Sequence, residues 1–192
     1  MFGGWKMKKN ILAVLLMFAL VTPSFALSRH NGKVEADIKA GFMINPSLKT
    51  GSGSTDMDMT FSIGTDFYYY AIQSIGLGLG ANNIFGAKVK NSSSDAKYEF
   101  SNLYVALKPK ISFEDYSIYY IGQFGYGIIR ATDFAGEMEN GLYWGLGVGV
   151  EYESFIFELL YSSNNATAKV GSDSTAITYS TLALNVGYRF HY

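Results

Sequence analysis

Six charged residues share a spacing that suits electrostatic work. Glu35, Asp37 and Lys39 stand two apart, and Asp66, Glu158 and Arg189 hold polar positions in other stretches that alternate apolar with polar. Residues two apart on an extended chain point to one side. A guanidinium or ammonium group set against carboxylates there forms short, charge-assisted hydrogen bonds. Asp58, Glu151 and Lys108 are further candidates for the same side. Such a cluster could form a polar path for ions, or an internal latch that satisfies its own charges. Acid–base chemistry finds less support. The two histidines, His30 and His191, lie near the chain ends, with no Ser or Asp clearly within reach of either. Geometry is the first requirement for a catalytic base, so no catalytic residue is expected. The chain has no Cys, which excludes a disulfide framework and a thiolate metal site. Neither a metal nor a cofactor is expected.

Strands are the elements that must position these charges. The last stretch is the clearest. Leu182, Leu184, Val186, Tyr188, Phe190 and Tyr192 alternate with Ala183, Asn185, Gly187, Arg189 and His191. Strict period-two alternation marks a strand with one oily face and one wet face. Seven more segments behave alike, at about 33–44, 57–68, 74–86, 98–108, 116–129, 141–152 and 155–162. In the first, Val34, Ala36, Ile38, Ala40, Phe42 and Ile44 oppose Glu35, Asp37, Lys39 and Gly41. In the second, Met57, Met59, Phe61, Ile63 and Phe67 oppose Asp58, Thr60, Ser62 and Asp66. The segment at 98–108 has two readings: Leu103, Val105 and Leu107 on the oily face, or Tyr98, Phe100 and Tyr104.

Composition says which solvent the oily faces meet. Of 192 residues, 48% are hydrophobic and only 16% charged, below the roughly 25% typical of soluble domains. A net charge of −1 gives no electrostatic case for nucleic acid. At the N-terminus, Lys6, Lys8 and Lys9 precede the apolar run 11–21, and Thr22-Pro23-Ser24-Phe25-Ala26 follows it. This three-part pattern predicts a Sec-type signal peptide over 1–26, cut after Ala26, and a mature domain over 27–192. Met7 is an alternative start.

The segments between strands alternate in length. Long polar loops are expected at 45–56, 87–97, 130–140 and 163–175, with shorter turns between them. Membrane barrels have short periplasmic turns and longer external loops, and they face apolar residues outward. The fold expected is all-β: an eight-stranded antiparallel up-and-down transmembrane β-barrel. Glycine alternation, as in Gly76-Leu77-Gly78-Leu79-Gly80, does not read as a phosphate loop, because no helix follows it. It makes room inside a narrow barrel for large inward groups such as Arg189. Tyr68-Tyr69-Tyr70, read as a turn, joins Tyr116, Tyr152, Phe155, Tyr188, Phe190 and Tyr192 in an expected interfacial girdle; Tyr and Trp favour that depth.

The chain thus resembles the small outer-membrane β-barrel family, the OmpA/OmpX-like group. The residues that carry the resemblance are 33–42, Asp66-Phe67-Tyr68-Tyr69-Tyr70 and Asn185-Val186-Gly187-Tyr188-Arg189-Phe190-His191-Tyr192. The resemblance implies residence in the cell outer membrane among its lipids. It also implies insertion by the barrel-assembly machinery, which reads a terminal aromatic strand; here the signal would be Tyr188, Phe190 and Tyr192. Phe is the usual last residue, so Tyr192 departs mildly. The expected role is structural or surface-interacting, with external loops meeting surface ligands. Glu35, Asp37, Lys39, Asp66, Glu158 and Arg189 would form a lumen charge network that plugs the barrel. A narrow channel for small solutes or ions is the alternative, and a soluble lipocalin-like barrel in the periplasm a weaker one.

Overall fold

A computed structural model describes residues 33–51, 53–72, 74–90, 97–132, 136–171 and 173–191. The expected signal peptide and residues 27–32 lie outside the described residues, as does Tyr192. Strands follow one another as β1 (Lys33–Thr50), β2 (Gly53–Asp56), β3 (Thr60–Ile72), β4 (Ile75–Lys88), β5 (Lys97–Ser112), β6 (Tyr116–Ala131), β7 (Glu137–Glu139), β8 (Gly141–Tyr152), β9 (Phe155–Val170) and β10 (Asp173–His191). Eight of them pair in the order β10-β1-β3-β4-β5-β6-β8-β9, and β9 pairs β10 in turn. The result is a closed antiparallel barrel of eight strands. Closure removes the free edges that an open sheet would expose. The two short strands are annexes: β2 pairs β1 and β7 pairs β9.

Register fixes the geometry. The row of paired residues that leaves β1 at Val34 passes through Tyr69, Leu77, Leu107, Gly122, Leu146, Tyr161 and Leu182, and returns to β1 at Ile44. The return lies ten residues beyond the start (44 − 34), so the shear is ten. With strands about 4.8 Å apart, that shear tilts each strand by about 40°. Each residue then advances about 2.5 Å along the barrel axis. From Tyr116 to Tyr126 on β6 the outward residues climb about 25 Å, the height of a membrane barrel's apolar band.

The two faces divide as their chemistry demands. Ile38, Phe42, Ile63, Leu79, Val105, Phe124, Val148, Phe157 and Val186 are exposed on the outside. The β5 register puts Leu103, Val105 and Leu107 outward and Phe100 and Tyr104 inward. Several expectations need correction. Tyr68-Tyr69-Tyr70 is not a turn but part of β3. Tyr68 and Tyr70 are buried in the lumen, and of the three Tyr69 alone is exposed. Met57 lies before β3 and is buried, while Asp58 is exposed and outside the lumen. Strand β1 runs on through Asn45 and Pro46, because Asn45 adopts φ 47 and shifts the register between Ile44 and Ser47. A bulge of this kind flips the alternation, so Met43 and Leu48 both face inward although they differ in parity. Gly86, at φ 49, does the same on β4. Most of the loop expected at 163–175 is strand: β9 reaches Val170 and β10 begins at Asp173.

The inner glycines have specific partners. A Cβ added to Gly76 would meet the Tyr70 ring at 2.7 Å, and one on Gly78 the Tyr68 ring at 2.6 Å. Gly80 and Gly149 stand likewise beneath Tyr104 and Tyr119. Tyrosine rings, more than Arg189, fill the room that these glycines leave, as aromatic rings cover strand glycines elsewhere.

Candidate functional site

The lumen is layered. At the end that carries the short turns, Arg189 projects inward from β10. Its Nε and Nη2 donate to Asp37 Oδ1 and Oδ2 of β1, each at 2.6 Å. Its Nη1 lies 3.0 Å from Glu35 Oε2 and also pairs with Glu151 of β8. Lys108 of β5 reaches Glu151 Oε1 at 2.8 Å and Asp37 Oδ2 at 3.3 Å. Lys110, two residues on, reaches Glu35 Oε1 at 2.9 Å and Glu151 Oε2 at 3.5 Å.

A second layer sits above. Lys39 Nζ lies 2.6 Å from Asp66 Oδ2 and 3.1 Å from Glu158 Oε1. The remaining carboxylate oxygens are also used. Tyr104 OH donates to Asp66 Oδ1 at 2.7 Å, Tyr119 OH to Glu158 Oε2 at 2.9 Å, and Asn185 Nδ2 to Glu158 Oε1 at 2.8 Å. Aromatic rings link the layers. Lys108 Nζ lies 4.0 Å from the Tyr119 ring centre and 4.7 Å from that of Tyr68, and Lys110 lies 4.3 Å from that of Tyr70. Cations favour such ring faces, the more so when desolvated.

Higher still, the charges give way to neutral groups. Tyr143 OH donates to Gln123 Oε1 at 2.5 Å, and Asn102 Nδ2 to Asn82 Oδ1 at 2.7 Å. Above them Phe100 stacks on Tyr179 at 4.0 Å, within an apolar cluster that includes Met43, Leu48, Met57, Ile84 and Ile129.

Charge balance explains how so many ions stand in so small a space. Five carboxylates, Glu35, Asp37, Asp66, Glu151 and Glu158, meet four cations, Lys39, Lys108, Lys110 and Arg189. Lys33, exposed at the rim, pairs with Glu35 at 3.0 Å and supplies a fifth. Buried ions are tolerable when they are paired and hydrogen-bonded. Strand alternation placed those on β1 and β5, since the odd positions of β1 up to Met43 and the even positions of β5 face inward.

The structure brings together Glu35, Asp37, Lys39, Asp66, Glu158 and Arg189, with Lys108 and Glu151 among them. Sequence reasoning missed Lys110. Its parity with Lys108, opposite to Leu103, Val105 and Leu107, was the available signal; the expected end of that strand at about 108, just before Pro109, concealed it. Tyr188 and Phe190 stand exposed on the outer wall, their ring centres 5.0 Å apart.

An oily outside and an ionic inside invert the arrangement of a soluble barrel. With a belt about 25 Å tall, they define a membrane barrel, and the architecture is that of the small eight-stranded outer-membrane barrels. Particular likenesses agree. The chain is 26% identical over 238 residues to an uncharacterized protein of Pasteurella multocida (strain Pm70), covering 97% of this chain and 99% of that one. Neisserial surface protein A is similar with a TM-score of 0.52 and 14% identity, over 83% of this chain and 97% of its own. OprG, an outer membrane protein from Pseudomonas aeruginosa, is similar with a TM-score of 0.51 and 15% identity, over 84% and 97%. At these identities the two solved structures share a fold with this chain. No family model matches it.

Proposed function

We propose that the protein is an integral outer-membrane barrel whose lumen is sealed by its ionic layers. It serves the envelope through its wall and its external face rather than through a pore. The observation that carries this reading is the ion network itself. Strands β1, β3, β5, β8, β9 and β10 all contribute to it, so it spans the lumen. Eight tilted strands leave an interior only wide enough for side chains to fill. An ion crossing it would have to break several charge-assisted bonds at once.

Contact with the surroundings then falls to the external end. There β9 and β10 extend as a hairpin to Val170 and Asp173, while β2 and β7 thicken the rim. Rigid scaffolds commonly carry their specificity at such loop ends, and surface ligands would bind here. Residues 1–26 would direct export, and Tyr188, Phe190 and Tyr192 would be read by the barrel-assembly machinery.

Planar-bilayer recording tests the seal. The wild-type barrel is expected to stay silent, and Arg189→Ala to leak. Steady openings of the wild type, with selectivity changed by Lys108→Met, would overturn the sealed reading in favour of a narrow channel.

A further inference from the structure

The lipid-facing wall has a gap at mid-height. In the paired row that runs from Val34 round to Ile44, each lipid-facing position carries an apolar or aromatic side chain except Gly122. Its neighbours in the row are Leu107 and Leu146. A Cβ added to Gly122 would meet nothing closer than Leu146 Cδ2 at 3.8 Å, so the space before it is open. This sets it apart from Gly76 and Gly78, whose missing Cβ positions are filled by tyrosine rings. A groove of about 520 Å³ results, lined by Leu77, Val105, Leu107, Phe124, Trp144 and Leu146. That volume falls in the roughly 300–1,000 Å³ range of small-ligand pockets.

Depth identifies the occupant. Gly122 lies six residues above Tyr116 and four below Tyr126 on β6. It is therefore about 15 Å from one end of the belt and about 10 Å from the other. At that depth only hydrocarbon is at hand. Gly122 is itself ladder-paired on both sides, with Leu107 and Leu146, so an apolar chain entering over it meets a residue whose place in the sheet is already taken up. It gains dispersion contacts with Phe124, Trp144 and the leucines. A strand glycine with no packing partner often marks close approach by a ligand.

We propose that this groove seats the terminal part of one acyl chain of the surrounding bilayer, holding that lipid longer than its neighbours around the belt. The proposal rests on the belt being lipid-facing, and the test separates the two.

Wild-type protein and Gly122→Leu would be reconstituted in phosphatidylcholine vesicles with spin-labelled lipid. One label sits near the chain terminus and another near the headgroup. Leucine fills the groove without touching the lumen, and retained heat-modifiable gel mobility would show that the variant folds. The expected result is a loss of the restricted terminal-label signal belonging to a single lipid per barrel, with the headgroup-side label unchanged. An unchanged terminal label in a folded variant overturns the seat. So does cysteine cross-linking of Phe124→Cys between two barrels that Gly122→Leu abolishes, because a second copy would then fill the groove. No restricted signal from either label would instead remove the lipid-facing belt on which the proposal depends.

Discussion

Asp37 and Arg189 are register partners across the seam where the first and last barrel strands meet, and two bonds of 2.6 Å join their side chains. One pair thus closes the barrel and anchors its charge balance. Removing one member of a buried ion pair costs roughly 3–5 kcal/mol, because the other is left unpaired. Arg189→Ala leaves Asp37, Glu35 and Glu151 with only Lys108 and Lys110 among them, two buried cations against three carboxylates. Its urea unfolding in lipid should show a loss of about that size. Arg189→Lys should fall between, since an ammonium cannot bond both Asp37 oxygens in a fork. Equal stability of all three proteins would show that the seam pair contributes nothing.

Burial should rank the lysines. Lys39 is enclosed between Asp66 and Glu158, whereas Lys33 is half exposed beside Glu35. Exposed pairs are worth roughly 0–1 kcal/mol. Lys39→Met should therefore destabilise the barrel by several-fold more than Lys33→Met in the same unfolding assay. Adding Asp66→Leu to Lys39→Met should recover part of the loss, because one stranded carboxylate goes with it. Similar losses from Lys33→Met and Lys39→Met would mean that water reaches the upper layer.

The glycine–tyrosine pairs make a steric prediction. A Cβ on Gly78 would press on the Tyr68 ring at 2.6 Å and on the Phe67 carbonyl oxygen. Overpacking typically costs about 1–3 kcal/mol. Gly78→Val should lower stability by about that much. Combining it with Tyr68→Ala should cost less than the two changes summed, since the clash and the ring disappear together. Strict additivity of the double variant would separate the two residues.

The sequence made the barrel legible because a lipid belt imposes period two on each strand. That period gave the faces of β1 correctly, from Val34 to Ile44. It failed where a bulge resets the parity, as at Asn45 and Gly86, since one left-handed residue carries no hydropathy signal. It also failed where aromatics serve both faces. Tyr68, Tyr69 and Tyr70 look alike in sequence, yet burial separates them. The ion network was half visible. Glu35, Asp37, Lys39 and Arg189 follow from alternation on strands that must adjoin when the barrel closes. Lys110 lay past a proline that reads as a strand end, although β5 continues through it to Ser112.

The β5 register, ambiguous in sequence, has its own test. The structure faces Val105 outward and the flanking Tyr104 and Ala106 inward. Val105 lies two positions from Leu107, hence close to the level of Gly122 at mid-belt. An arginine on the lipid face near the midplane of a membrane barrel costs roughly 2–4 kcal/mol, and near the interface roughly 0–1 kcal/mol. Val105→Arg should lose stability by the larger amount when unfolding is measured in bilayers. Glu99→Arg, six residues nearer the external rim, should lose little. In the opposite register Val105 would face the ionic lumen, where an added cation meets carboxylates and the depth dependence vanishes. Equal effects of Val105→Arg and Glu99→Arg would thus turn β5 inside out and detach Lys108 and Lys110 from the network.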